Sequence, residues 1–524
     1  MKSLEVIEQK LTEQTSPKWK KIRTSLERLQ RNVDRLDSNL VFMFLEGNLL
    51  RAIKEGNWIL IDEINLASNE MLQKIVPLIA GKSIVLYEKG EIKKVERHPN
   101  FRLFGCMNPG NDFGKKSLPV NLMEKFTVLT LPEPDRVDVE LFINSKCPSL
   151  NAEDLTTLYF EMRKTKTLSL RNLSRALNYI NINREFYGPR AVYDGLLLGF
   201  NDKPALAKYE CKQPNNTFRE GYTFIEGFWV KRGIHPNEPM EGQFKLTAKF
   251  REHLMDLLRA IAGTDLPVLL EGPTSAGKTT MIRYIASQSN HKCIRINNHE
   301  HTDVEEYLGS YYPSKEGNLV FREGVLVEAV RNGYWLILDE LNLARSEILE
   351  CLNRLLDDNR ELFLPESQKH LKPHPDFRIF ATQNPSSYSG RKNLSKAFRN
   401  RFVQILMNEI SPEDTVDILA KRVPLIEDSK ELKEYMLRVI NELARYRLRE
   451  KVFIKDAIVT IRDLLKWTTR QIEAMGLKEA LALEGYCILA ERLRTEDEKQ
   501  YIKTILLGKS KSDFDELAHY SEFA

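Results

Sequence analysis

Cysteine is scarce and scattered. Six thiols, at positions 106, 147, 211, 293, 351 and 487, serve 524 residues, and no C-x-x-C pair occurs. That excludes a disulfide framework or a cysteine zinc knuckle as the basis of the fold, and it suits a reducing compartment. No apolar run approaches the roughly 18 residues that a membrane helix needs. The first ten residues, MKSLEVIEQK, carry charge where a secretory leader has its apolar stretch. Strong charge of one sign is lacking too, with a net +4 among 29% charged residues. No domain-wide nucleic-acid footprint is imposed, which leaves only local basic patches. What the chain does have is a globular composition, 42% hydrophobic, at a length that suggests two to four domains.

One stretch organises the rest. Leu266–Thr280 reads LPVLLEGPTSAGKTT, an apolar run into a G-x-x-x-x-G-K-[ST] loop, followed by an amphipathic run from Thr279 to Ser287. A Gly-rich loop between a strand and a helix closes backbone N–H groups around phosphate oxygens. The new helix points its positive end at the same place. The predicted nucleotide contacts are Gly272, Pro273, Thr274, Ser275, Ala276, Gly277, Lys278, Thr279 and Thr280. Lys278 is placed to reach β- and γ-phosphates, and the Thr279 hydroxyl to hold Mg²⁺.

The acidic partner is Tyr334–Glu340, YWLILDE. Continuous apolar residues predict a strand buried on both faces of a parallel sheet, ending where such sheets place their ligands. Asp339 suits Mg²⁺ and Glu340 suits the base that activates water. A second apolar strand, Phe377–Gln383, ends in Asn384, an amide fit to sense a γ-phosphate or to hold water in line. Further on, Arg399 and Arg401 offer guanidinium forks that match phosphate oxygens. Arg462, in a helical pattern, is a further candidate from the opposite side. His299, His301 and Asp303 in the loop NNHEHTD read either as a hydrogen-bonded loop or as metal ligands.

The chain repeats itself. GNLLRAIKEGNWILIDEINLASNEML (47–72) matches GVLVEAVRNGYWLILDELNLARSEIL (324–349), so that Asp62 corresponds to Asp339 at an offset of 277. Asn108 then matches Asn384, Phe126 matches Phe402, and Arg171 matches Arg462. Two copies of one module fill the chain. Lys278 precedes its acidic pair by 61 residues; the equivalent position in the first copy falls near residue 1, where no Gly-rich loop exists. The first copy therefore keeps Asp62 and Glu63 without a phosphate cradle. Met123 and Lys125 stand where the second copy has Arg399 and Arg401, and lysine lacks the planar fork.

Between these landmarks the patterns are mostly helical. Trp19, Ile22, Leu26, Leu29, Val33 and Leu36 form one apolar stripe, a helix packed on its own domain or a short coiled coil. Residues 132–205 and everything from Ser411 onward read as helical lids. Residues 206–243 read as a Pro/Gly/Asn-rich connector with a strand at Tyr222–Lys231. Phe244–Ala262 is an amphipathic helix, Cys293–Asn297 a strand, and Phe363–Phe377 a hairpin around Glu366–Lys369.

The order of phosphate loop, Asp–Glu strand, sensor Asn, arginine pair and lid arginine resembles AAA+ ATPases. The stretches RINNHEHTDVEEYLGSY, LNRLLDDNRELFLPE, HPDFRIFATQNP, LSKAFRNRFV and EGYCILAER narrow the resemblance to the midasin family, dynein-like AAA+ proteins with six modules. The likeness runs from about residue 41 to 495. It covers the latter part of a second module and a whole third. It implies an α/β fold of tandem AAA+ modules. Each has a parallel-sheet nucleotide-binding core with helices on both faces plus a helical lid, and the first core is incomplete. The implied divisions are 1–131 (core without a phosphate loop), 132–205 (lid), 206–243 (connector), 244–408 (complete core) and 409–524 (lid).

By the same resemblance Asn384 is sensor 1, Arg462 is sensor 2, and Arg399 or Arg401 is the finger acting on the neighbouring module's nucleotide. The implied cofactors are ATP and Mg²⁺. The implied partners are neighbouring AAA+ modules, the pre-ribosomal large-subunit particle and its assembly factors, and the implied place is the nucleus (nucleolus and nucleoplasm). The Lys278 site would need a finger from a following module, so weak hydrolysis by the isolated chain is expected. Two other readings share these residues: a nucleotide-binding scaffold without effective hydrolysis, and a homo-oligomeric helix-two-insert AAA+ ATPase with fingers supplied by other copies.

Overall fold

The computed structural model describes residues 46–81, 83–86, 93–108, 118–166, 168–211, 219–235, 246–313, 319–357, 360–365, 369–385, 394–449, 460–469, 482, 484–491 and 496–507. The apolar stripe of residues 19–36 lies outside them. The chain forms two compact units, Met1–Glu133 and Pro134–Ala524.

In the first unit, α1 (Asn48–Glu55) leads into β1 (Trp58–Ile61). Gly56 ends the helix in the left-handed conformation, φ 80°, which glycine adopts without a Cβ penalty. Then come α2 (Asn69–Gly81), the antiparallel pair β2 (Ser83–Leu86) and β3 (Lys93–Glu96), and β4 (Arg102–Gly105). β4 lies parallel to β1, with Trp58 opposite Arg102. A short helix, α3 (Val120–Met123), follows.

The second unit opens with four helices, α4 (Arg136–Lys146), α5 (Ala152–Thr165), α6 (Leu170–Tyr187) and α7 (Arg190–Phe200). Asp135 starts α4 through a capping box with Asp138, and the Asn151 side chain caps α5. Their apolar faces form one core of Ile143, Leu155, Tyr159, Leu173, Leu177 and Leu196. The connector expected to hold one strand holds two: β5 (Tyr222–Ile225) and β6 (Phe228–Lys231), antiparallel. Glu226 (φ 43°) and Gly227 (φ 88°) form the two-residue turn between them. Positive φ at both central residues matches the twist of a hairpin, and this splits the single strand read from the sequence.

The sheet of the second core is built from α8 (Ala248–Ile261), β7 (Val268–Glu271), α9 (Lys278–Gln288), β8 (Cys293–Asn297), α10 (Val304–Leu308), the hairpin of β9 (Gly309–Pro313) and β10 (Leu319–Glu323), α11 (Val325–Asn332), β11 (Trp335–Asp339), α12 (Ser346–Leu356), the hairpin of β12 (Leu362–Leu364) and β13 (Lys369–Leu371), β14 (Arg378–Gln383), α13 (Lys396–Arg399) and β15 (Val403–Leu406). Strands run parallel in the order β15-β7-β14-β11-β8. Alternate residues feed two cores, one on each face. Val268, Leu270, Trp335, Ile337 and Phe380 meet Leu254, Met281, Ile282 and Ile285 from α8 and α9. Leu269, Leu336, Leu338, Ile379 and Ala381 meet Leu326, Val330, Ile348, Leu352 and Phe402. All five residues of β11 are buried, as a central parallel strand requires.

The repeat survives in three dimensions: Trp335 faces Arg378 across β11–β14 as Trp58 faces Arg102 across β1–β4. Trp335 is fully buried, whereas Trp58 is 72% exposed. Among the described residues the parallel sheet of the first unit has two strands rather than five.

A last helical layer follows: α14 (Pro412–Arg422), α15 (Pro424–Glu427), α16 (Lys430–Arg449), α17 (Ile461–Thr469), a π-helical turn at Tyr486–Ala490, and α18 (Glu496–Leu507). Ser411 caps α14, and Pro412 in its first turn loses no hydrogen bond there. Leu419, Met436, Val439, Trp467 and Leu506 form its core.

Candidate nucleotide site

The C-terminal ends of three adjacent strands, β7, β14 and β11, converge on one crevice, where an open parallel sheet binds ligands. β7 runs into the Gly272–Gly277 loop, and α9 starts at Lys278. The loop has the shape its glycines dictate. Ser275 (φ 63°) and Gly277 (φ 86°) are left-handed. A Cβ on Gly272 would sit 2.6 Å from the Met407 carbonyl oxygen, and one on Gly277 would sit 3.1 Å from the Phe250 ring. Ala276 turns its methyl into the core. Thr274, Thr279 and Thr280 are half-buried on the loop and the first turn of α9. The first N–H groups of an 11-residue helix thus face the crevice without intrahelical acceptors.

Lys278 is 8% exposed. Its ammonium donates to the carbonyls of Gly272 and Pro273, each at 2.7 Å, and to Asn384 Oδ1 at 2.8 Å. Asn384 Nδ2 donates to Glu340 Oε1 at 3.3 Å. Asn342 Nδ2 holds the Asn384 carbonyl at 3.2 Å. Glu340 takes left-handed backbone, φ 53°, and its N–H donates to Thr382 Oγ1 at 3.3 Å. A charged residue held in αL immediately after a buried strand is the kind of strain found at functional sites.

Asp339, 7% exposed, spends both carboxylate oxygens. Oδ1 accepts from the Thr382 hydroxyl. Oδ2 accepts from Thr279 Oγ1 at 3.4 Å and pairs with Arg295 Nη2. The Asp339 carbonyl takes two donors from Asn298, its N–H at 3.0 Å and its Nδ2 at 2.9 Å. Thr279 and Asp339 together form a hard-oxygen pair of the kind that Mg²⁺ prefers, beside a loop shaped for phosphate.

Arg401 Nε donates to Asp357 Oδ1 at 2.5 Å, and its Nη1 donates to Asn353 Oδ1 at 2.9 Å, both at the end of α12. Arg399 is half-buried on α13. Arg175 of α6 donates to the carbonyls of Asn400, at 2.5 Å, and Phe402, at 3.0 Å, and so grips the turn that carries both arginines. Arg462 stands exposed in the first turn of α17. The structure therefore brings Lys278, Thr279, Asp339, Glu340 and Asn384 together and joins none of Arg399, Arg401 and Arg462 to them by a described hydrogen bond.

The histidine loop is held by hydrogen bonds. His299 N–H donates to Thr302 Oγ1 at 2.9 Å, His301 N–H donates to His299 Nδ1 at 3.2 Å, and Asp303 pairs with Arg345. No group of three metal-ligating side chains occurs among the described residues.

Thr382, Arg295, Asn298 and Arg175 were not singled out from the sequence. Thr382 had a usable signal, a hydroxyl two residues before Asn384 and directly after the apolar run Ile379–Ala381. The first copy has Cys106 at the matching position. There the Glu63 N–H turns to Asp62 Oδ1 at 3.0 Å instead, and Glu63 is again left-handed, φ 48°.

Comparison with known proteins agrees with this architecture. The family described as AAA domain (dynein-related subfamily) matches residues 23–126 and 267–402, and the Midasin AAA lid domain matches residues 414–509. The chain is 40% identical to Midasin of Dictyostelium discoideum over 96% of its own length, and 35% identical to Midasin of Giardia intestinalis over 89%. It spans only 9% and 11% of those two proteins. Protein NorQ of Paracoccus denitrificans is 32% identical over 33% of this chain and 63% of its own. The chain belongs to the dynein-related AAA proteins, and it is similar to a segment of midasin.

Proposed function

We propose that this chain binds and hydrolyses ATP at the Gly272–Thr280 loop, as part of a midasin-like mechanochemical ATPase that remodels pre-ribosomal large-subunit particles and releases assembly factors in the nucleus. The observation that carries the reading is the hydrogen-bonded series Lys278–Asn384–Glu340 across the ends of β7, β14 and β11. It couples a phosphate-binding cation to a carboxylate that can act as base. Lys278 would hold β- and γ-phosphate oxygens in place of the carbonyls it now contacts. Glu340 would accept the proton of the attacking water, with Asn384 fixing its orientation. Thr279 and Asp339 would hold Mg²⁺, which supplies charge neutralisation between the phosphates when bound.

Turnover by the isolated chain is expected to be slow. By the family resemblance, the arginine that would act on this nucleotide comes from another module, and an arginine aimed at the leaving phosphate is worth on the order of 10³–10⁵ in rate in related chemistry. The same dependence favours a second reading, a nucleotide-binding scaffold without effective hydrolysis. Neighbouring AAA modules, of the same or a companion chain, are the expected partners in either case.

Titration calorimetry with ATP and Mg²⁺ tests the assignment. Wild type and Glu340→Gln should bind, and Lys278→Ala should not. Equal binding by wild type and Lys278→Ala would remove the site.

A further inference from the structure

Strand β8 reads Cys-Ile-Arg-Ile-Asn, a cation set between two isoleucines at the edge of the sheet. Parallel pairing puts Arg295 opposite Ile337 and Asn297 opposite Asp339. With the side chains of a strand alternating between faces, Arg295 shares the face of Ile337 and Asp339. From there Arg295 Nη2 reaches Asp339 Oδ2, and the arginine side chain stays 47% exposed while the carboxylate is 10% exposed. Oδ2 is also the oxygen nearest the Thr279 hydroxyl, at 3.4 Å. Oδ1 is already committed to the Thr382 hydroxyl. One carboxylate oxygen therefore faces both a guanidinium and the hydroxyl that completes the hard-oxygen pair.

Those two demands compete. A guanidinium stays protonated at any pH a protein survives. Mg²⁺ requires near-octahedral oxygen ligands at short range and keeps several waters, so a guanidinium on the same oxygen repels it and crowds its shell. A buried carboxylate without a counter-ion is costly, and Arg295 supplies that counter-ion. Its half-exposed stem leaves room to swing away.

We propose that Arg295 is a metal-responsive gate on Asp339, closed on the carboxylate before Mg²⁺ enters and displaced when it does. Arg295 is thus a positioning residue that sets how much Mg²⁺ the nucleotide site needs. The inference rests on the nucleotide reading of the Lys278 loop.

The experiment measures ATP affinity of the full chain by calorimetry at a series of free Mg²⁺ concentrations. Arg295→Gln removes the competing charge, so the Mg²⁺ midpoint should fall roughly fivefold, the scale of a half-exposed ion pair. Arg295→Lys should stay near wild type. A merely structural role moves the midpoint the other way, because damage to β8 weakens metal binding. Should Arg295→Gln fail to fold, Arg295→Met, which keeps the aliphatic stem, carries the same expectation. An unchanged or raised midpoint in a folded neutral variant overturns the gate. Failure of wild type to bind ATP at any Mg²⁺ concentration overturns the nucleotide reading itself, which keeps the two failures distinct.

Discussion

The Lys278 ammonium donates a 2.8 Å hydrogen bond to Asn384 Oδ1, across 106 residues of sequence. The amide nitrogen of Asn384 faces the other way, to Glu340 at 3.3 Å. An amide suits this position because it accepts from a cation on one side and donates to an anion on the other. Neither aspartate nor lysine can do both.

Replacing Asn384 should therefore separate binding from turnover. In Asn384→Ala, Lys278 keeps its loop carbonyls and should still bind ATP within a few-fold of wild type. Glu340 loses the donor that aims it, and kcat should fall roughly a hundredfold, the scale of a misplaced reacting group. Parallel calorimetry and single-turnover hydrolysis read the two quantities. A large loss of affinity with kcat unchanged would contradict the orienting role.

The loop glycines differ in what they forbid, and two alanine substitutions should show it. Gly272→Ala drives a Cβ to 2.6 Å from a backbone oxygen at Met407, next to edge strand β15. Backbone cannot step aside cheaply, so about 1–3 kcal/mol of stability should be lost together with ATP binding. Gly277→Ala meets the Phe250 ring edge at 3.1 Å, a side chain that can give by a few tenths of an ångström. Its penalty is mainly the left-handed φ, about 1–2 kcal/mol. Urea unfolding of both variants, each with an ATP titration, checks the ranking. Gly277→Ala should be the milder of the two in stability.

Local pattern made the core legible and long-range pairing hid the rest. Trp335–Asp339 announces a central parallel strand because five successive residues had to be buried. The Gly272–Lys278 loop announces itself because Gly277 takes φ 86° and Gly272 has no room for a Cβ. The repeat could be seen by aligning the chain with itself, and it reappears as equal strand registers. By contrast, the Glu226–Gly227 turn carries a weak signal, since glutamate seldom takes positive φ. Arg295 and Asp339 are 44 residues apart and meet only because β8 pairs with β11. The contact of Arg401 with Asp357 and Asn353 depends on how α12 packs, and no spacing rule reports that. Arg175 reaches carbonyls 225 and 227 residues away.

A buried charge cluster fastens α7 to α8, and its link across the two helices had no sequence signature. Asp194, 1% exposed, faces Arg259 Nε at 2.8 Å and Arg190 Nε at 3.0 Å. Arg259 also holds Asp256, and Arg190 donates to the Gly227 carbonyl while its guanidinium lies 4.5 Å over the Phe228 ring. Asp194→Ala strips two buried arginines of their shared anion, which should destabilise the second unit by about 3–5 kcal/mol. The double replacement Asp194→Leu with Arg259→Met should recover part of that loss, because it leaves fewer buried charges uncompensated. Denaturant midpoints of the three proteins decide it. A double variant weaker than Asp194→Ala would mean that Arg259 contributes chiefly through Asp256.

Acid should weaken the fold through a buried imidazole. His291 is 5% exposed, stacked on Trp335 at 4.5 Å, and its Nδ1 lies 2.9 Å from the Ser289 hydroxyl. Burial lowers its pKa from 6.5 to about 4; the positive Arg378 adds to the shift and Asp376 opposes it. The folded chain thus refuses a proton that the unfolded chain accepts. Between pH 6.5 and about 4 the unfolded state binds more protons, so stability falls as pH falls through that window and is fully present above it. The shift corresponds to about 3 kcal/mol. In His291→Gln this contribution is absent at every pH. The variant should be less stable than wild type at pH 7.5, since it loses the ring stacked on Trp335. At pH 4.5 the gap should narrow by most of that amount. Urea unfolding of both proteins at the two pH values measures it, and a gap that stays constant would mean that His291 takes up its proton as readily in the folded protein as in the unfolded one.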